Sequence, residues 1–311
     1  MNSLQESIEK YLCLRRDLGF QLTQVGILLR DFGSFMESQE APFITTVLSL
    51  QWSLQPMHTH PSYWAKRLSA VRLLARFCSA EDPRTEIPPN GMLPRYVKRR
   101  VKPYWYTSRD IDRLMKAALA LPPTGGLRGQ TYYCLLGLLV TTGLRIGEAL
   151  ALKLVDVDLA DGMLTIRDTK FGKSRFVPLH PSTRQALRVY SCQRDTNFQR
   201  STLTHFFVSS KAKQLSANAV HWTFRKLRSQ TGLGASTNWD MPQLHHFRHR
   251  FAMETLLRWY QSNEDIERRL PVLSTFLGHV GVADTYWYLS THPALIGHAV
   301  RLLQERGEGS S

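Results

Sequence analysis

The sequence predicts a mainly α fold with one small β-sheet: a helical N-terminal domain followed by a mixed α/β domain. Apolar residues recur at three- and four-residue spacing along most of the chain, the period of helices with one buried stripe. That period gives way to alternation at 163–167 and 175–179, as in half-buried strands. A basic, proline-rich stretch at 83–105 separates two helical blocks, and 311 residues exceed one ordinary domain. With 43% hydrophobic and 21% charged residues the chain is a globular protein and not a disordered one.

The first domain, 1–82, reads as four helices. Leu4, Ile8, Tyr11 and Leu12 mark the first, which Gly19 can stop, and Val25, Leu28, Leu29, Phe32 and Phe35 mark the second. A short third helix covers 45–54. The fourth, 63–80, puts Trp64, Leu68, Val71, Leu74, Ala75 and Cys78 on one face, leaving Lys66, Arg67, Arg72 and Arg76 for a basic face. Pro83, Pro88, Pro89, Pro94 and Pro103 then forbid a continuous helix. Lys98, Arg99, Arg100 and Lys102 make this extended linker a second candidate surface for a DNA backbone.

The second domain opens with Ser108 as the expected N-cap of a helix to 120, Ile111, Leu114 and Met115 facing inward. Residues 132–141 are almost wholly apolar and predict a central helix, which Gly143 breaks before another over 146–154. The two strands flank a turn, 168–174. Helices are expected over 181–194, 217–231, 246–261, 265–277 and 293–306, with a loose tail at 307–311.

Forty basic side chains against 25 acidic ones give a net charge of +15. Residues 1–103 hold 14 basic and 9 acidic side chains, so both domains are basic, as in a clamp around a duplex. Cys13, Cys78, Cys134 and Cys192 are scattered without a CxxC spacing, and the first three read as reduced core thiols of a cytoplasmic protein. No apolar run of membrane-spanning length occurs, and 1–6 lack a signal-peptide pattern.

Three runs carry chemistry: Thr142-Gly143-Leu144-Arg145-Ile146-Gly147-Glu148, His245-His246-Phe247-Arg248, and Leu277-Gly278-His279 followed by Tyr288. Two arginines, two histidines and a tyrosine on a basic protein suit attack on a phosphodiester by a phenolic oxygen without a metal. Guanidinium forks grip two phosphate oxygens at once. A tyrosine with a pKa near 10 must lose its proton, and the leaving 5′-hydroxyl must gain one. Such sites must supply on the order of 20 kcal/mol. Arg145 follows the Gly143 break and is expected at a helix N-terminus. His245 and Arg248, three apart, share a helix face. His246 and His249 are read as packing or phosphate-contacting residues. No cysteine or carboxylate cluster accompanies these histidines to make a metal site, and no cofactor is expected.

Taken together, Thr-Gly-Leu-Arg-x-x-Glu, His-x-x-Arg and Leu-Gly-His-x8-Tyr, in this order, resemble the tyrosine recombinase, or phage integrase, family, with its Xer-, Cre- and lambda-type members. The resemblance is sharpest over 106–292, and 1–82 is similar to that family's core-binding domain in size, helicity and position. It implies a recombinase that cuts and rejoins DNA at a specific site through a 3′-phosphotyrosyl intermediate and a Holliday junction.

In that family's terms Arg145 and Arg248 would clamp the scissile phosphate, His245 would assist the tyrosine proton, and His279 would bond a phosphate oxygen. Tyr288 would be the nucleophile; Tyr286, seven after His279, has the wrong spacing. Lys170 in the hairpin turn would be the general acid, with Lys173 as runner-up, and Glu148 would support the fold. Arg250, where relatives often carry a small residue, is read as an added phosphate contact. The resemblance also implies four protomers on two duplexes, as a homotetramer or with related recombinases, and a C-terminal segment, 293–311, passed to a neighbour. A mobile-element recombinase or a replicon resolvase fits this two-domain layout better than a lambda-type integrase. The rivals are a type IB topoisomerase-like enzyme and a non-catalytic DNA-binding accessory protein on the same scaffold.

Overall fold

The computed structural model describes residues 4–93, 103–167, 174–234, 241–262, 264–279 and 281–289, the last three by backbone alone. The chain divides into two compact units, Met1–Arg100 and Val101–Ser311.

The first unit contains α1 (Leu4–Asp17), α2 (Thr23–Ser38), α3 (Thr46–Leu54) and α4 (Pro61–Cys78), as the apolar spacing predicts. Their stripes meet in one core around Ile8, Leu12, Leu29, Phe32, Met36, Trp52, Val71 and Leu74. Burial of such side chains stabilises a small domain by about 1.5–3 kcal/mol each.

Three expectations change here. The start of the stretch read as an extended interdomain linker is bonded to this unit as far as Pro89. Glu86 N–H donates to Ile44 O, its carboxylate accepts from Thr46 N–H at 2.7 Å, and Arg72 donates to Pro88 O and Pro89 O at 2.6 and 2.9 Å. Prolines lack N–H donors, but their carbonyls accept as well as any. Arg67 is the second correction: it is buried, stacked over the Trp52 ring and donating to Trp52 O, which removes it from any DNA surface. Cys13, expected inside, is exposed on α1.

The second unit begins with α5 (Ser108–Leu119). Its N-cap is Thr107, one residue earlier than expected, because Thr107 and Asp110 bond each other's backbone N–H reciprocally. Helix α6 (Leu127–Thr142) runs through the core, with Leu135 and Leu138 fully buried, and packs on α5, on α8 (Pro181–Asn197) and on α10 (His245–Gln261). After α7 (Ile146–Ala151) comes an antiparallel sheet of β1 (Val157–Asp158), β2 (Met163–Ile166) and β3 (Arg175–Pro178) in that order. Leu164 pairs with Val177 in its core-facing register. The two-residue β1 is too short to show periodicity and was not expected. Helices α9 (Ala217–Gln230), α11 (Ile266–Leu277) and α12 (Ala283–Leu289) complete the described residues. Helix α12 was not foreseen either; it packs against α10 and α11. The expected helix at 293–306 lies outside the described residues.

Candidate active site

The site is built at the ends of helices. α6 stops because Gly143 turns left-handed (φ +62°), and a Cβ there would meet the Phe251 ring at 2.7 Å. Two residues later Arg145 is the N-cap of α7, as its motif predicts. Glu148 holds it: one carboxylate oxygen accepts from Arg145 N–H at 3.0 Å, the other from Nη1 at 2.9 Å. Arg145 Nη2 donates to Gly278 O at 3.0 Å, and the side chain keeps 36% of its surface.

Arg248, on α10, is 2% exposed. Its Nη1 donates to Gly143 O at 2.9 Å and its Nη2 to Leu277 O at 2.5 Å, joining the C-terminal ends of α6 and α11. Arg175, on β3, also reaches the end of α11, its Nε donating to Phe276 O at 2.7 Å. Three successive carbonyls, those of Phe276, Leu277 and Gly278, thus each take a different guanidinium. The last carbonyls of a helix have no intrahelical partner and carry its negative dipole end, so α11 gathers cations here.

His279 follows at once. Gly278 caps α11 (φ +67°), His279 N–H donates to Ser274 O, and its Nδ1 lies 2.7 Å from Thr285 Oγ1 on α12. Burial, then the cations of Arg248 and Arg145, hold the His279 pKa down at about 4, so the ring is neutral at neutral pH. His245 is exposed at the start of α10, its ring edge-on to His249 at 4.7 Å. Burial, then neighbouring His245, His246 and Arg248, push His249 down to about 3. His246 is a packing residue: its Nδ1 accepts from the N–H groups of Tyr104 and Gln243 at 3.2 and 3.4 Å. Among the described residues no group of three His, Cys, Asp or Glu is arranged to hold a metal ion.

The phage integrase family model matches residues 105–294. Over its whole length the chain is similar to y4rB of Sinorhizobium fredii, named as an integrase/recombinase: 46% identical over 312 residues, covering 99% of each chain. The chain belongs to the phage integrase family. Members of this family, the tyrosine recombinases, are site-specific recombinases, and the chain is an enzyme of that class. It is also similar to the tyrosine recombinase XerC of Chlamydia caviae, 28% identical over 74% of this chain and 67% of that one. In fold it resembles the Tn1549 transposon integrase solved with transposon right end DNA, at TM-score 0.66 and 15% identity over 98% and 99% of the two chains.

The structure brings Arg145, Arg248 and His279 of the recombinase motifs together and puts His245 one helical turn from Arg248. Tyr288 lies on α12, whose packing sets that helix against α10; its side chain, with Lys170 and Lys173, lies outside the described residues. So do Lys98, Arg99, Arg100 and Lys102. Tyr286 is half exposed, and on α4 Lys66 and Arg76 are exposed. Arg72 is half-buried, its guanidinium engaged by the Pro88 and Pro89 carbonyls. Arg250, expected on phosphate, instead donates to Tyr106 O at 2.9 Å and pairs with Glu254 at 2.5 Å, tying the entry to α5 onto α10.

Sequence reasoning missed Arg175 and Thr285. The signal for Arg175 was in the strand alternation: it shares a face with buried Val177, and an inward arginine demands a partner. That partner is Glu148, whose carboxylate it meets at 3.2 and 2.8 Å. Burial alone would raise the Glu148 pKa, but Arg175 and Arg145 together hold it below the ordinary 4.5.

Proposed function

We propose that this recombinase cuts double-stranded DNA at a specific site by attack of Tyr288 on a phosphodiester. The Tyr288 oxygen bonds phosphorus, the bond to the 5′-oxygen breaks, and a 3′-phosphotyrosyl link holds the end until a 5′-hydroxyl from the partner strand attacks. The observation that carries this reading is the convergence of Arg145, Arg248 and His279 at the C-terminal end of α11, with His279 four residues before the start of the helix bearing Tyr288. In it, the two guanidiniums offset the charge that grows on the phosphate. Neutral His279 donates a hydrogen bond to a phosphate oxygen. His245, at the exposed turn of α10, takes the phenol proton, and Lys170 gives a proton to the leaving 5′-oxygen. No metal enters this scheme.

In this reading four protomers act on two duplexes, as a homotetramer or with related recombinases, and strands exchange in pairs through a Holliday junction. Residues 293–311 dock on a neighbour. The similarity to a protein named as an integrase/recombinase and to a transposon integrase supports service to a mobile element, by integration, excision or transposition. The net charge of +15 supports a DNA partner, contacted through Lys66, Arg76, the 98–102 run and Lys173. In this reading the protein works in the cytoplasm.

The deciding experiment traps covalent protein on nicked suicide substrates drawn from the DNA flanking its gene, in EDTA, and maps the linked peptide. The expected result is a site-dependent adduct through Tyr288. Tyr288→Phe should bind the site and form none. Attachment through Tyr286, a strict magnesium requirement, or relaxation of supercoils without site preference would each overturn the reading.

A further inference from the structure

Thr285 is fully buried in the first turn of α12, and its Oγ1 lies 2.7 Å from His279 Nδ1. It stands six residues after His279 and three before Tyr288, so one helical turn separates it from the position of the proposed nucleophile. A neutral imidazole has a single N–H, and its other nitrogen is an acceptor. If the threonine hydroxyl donates to Nδ1, the ring hydrogen sits on Nε2 and can point to an anionic oxygen. If the ring donates from Nδ1, Nε2 presents a lone pair, which repels phosphate. The main chain of His279 is already held by its N–H bond to Ser274 O. The Thr285 contact orients the ring itself, and it does so from the helix that carries Tyr288.

We infer that Thr285 is a positioning residue: its hydroxyl donates to His279 Nδ1 and sets the Nε2–H tautomer that must face the scissile phosphate. The inference rests on the reading of His279 as a phosphate contact. It also makes the histidine and the tyrosine helix one mechanical unit, since moving α12 moves the group that aims the ring. Threonine suits this place better than a longer polar residue, because its hydroxyl is near the backbone and its methyl fills the buried turn.

The test uses the full chain with ¹⁵N-labelled histidine, reading which His279 nitrogen carries the hydrogen. Single-turnover cleavage of a suicide substrate and DNA affinity are measured beside it. Wild type should show Nε2–H. Thr285→Val, matched in shape but lacking the hydroxyl, should lose that preference and slow cleavage about 10-fold, part of the loss expected for one missing phosphate donor. Its DNA affinity should stay unchanged, and Thr285→Ser should restore both tautomer and rate. An Nδ1–H ring in wild type, or a valine variant that cleaves at the wild-type rate, overturns the inference. Should the valine variant not fold, the wild-type spectrum and the serine variant decide. A wild type that forms no adduct sinks the recombinase mechanism, while the nitrogen spectrum still judges the hydrogen bond.

Discussion

Arg175 and Glu148 meet end to end, two guanidinium nitrogens on two carboxylate oxygens at 3.2 and 2.8 Å, each side chain only about one-tenth exposed. The same carboxylate grips the backbone and side chain of Arg145. Glu148 therefore joins β3 to the first arginine of the site. Glu148→Gln would leave Arg175 buried beside a neutral amide. Breaking a buried pair in this way costs about 3 kcal/mol. Urea unfolding should show that loss, with a parallel fall in cleavage rate; wild-type stability would mean the pair is not a structural tie.

Gly278 has φ +67°, and a Cβ there would stand 2.7 Å from Arg175 Nη1 and 3.5 Å from Arg145 Nη1. Gly278→Ala should destabilise by about 1–2 kcal/mol from the left-handed backbone alone. It should also displace the Arg175 guanidinium and slow cleavage. Full activity in a folded alanine variant would show that Arg175 can yield without disturbing Arg145.

Arg145 divides its nitrogens between Glu148 and Gly278 O while remaining 36% exposed toward solvent. A lysine has one nitrogen and cannot hold those partners and a phosphate together. Arg145→Lys should lower single-turnover cleavage by roughly 10²–10³, the cost of one lost transition-state donor. A rate near wild type would remove Arg145 from the phosphate site.

His249 and His279 are held down to about 3 and about 4 from an ordinary 6.5. Between those values the unfolded chain binds more protons than the folded one, so stability rises with pH. The contribution is complete above pH 6.5 and is lost as pH falls toward 4 and then 3. Denaturant midpoints across that window should fall steeply in wild type and less steeply in His249→Gln. Parallel curves would show that His249 titrates normally.

Much of the fold was legible because it is local. The three-and-four spacing of Ile8, Tyr11 and Leu12, or the apolar run before Gly143, reports which face of a helix is buried. Polar endings such as Asp265 report where one starts. Errors fell where the outcome depends on a distant partner. Arg67 looked solvent-facing by period, yet Trp52 on another helix takes it inside. Pro88 and Pro89 looked like a linker, yet Arg72 binds their carbonyls. Helix α12 is too short for periodicity to mark, and its place comes from α10 and α11.

By itself the sequence determined the family, most of the element types, and which arginines, histidines and tyrosine stand in the motif positions, because side-chain chemistry and short-range spacing are written in it. Only the tertiary structure decided how Arg145, Arg175 and Arg248 come to one place. They are gathered by the carbonyls of Phe276, Leu277 and Gly278 at the end of α11. Every residue carries a carbonyl, so nothing in a residue's name marks these three. They become a cation site because a helix ends there without partners for them, and because packing brings α7, α10 and β3 within reach.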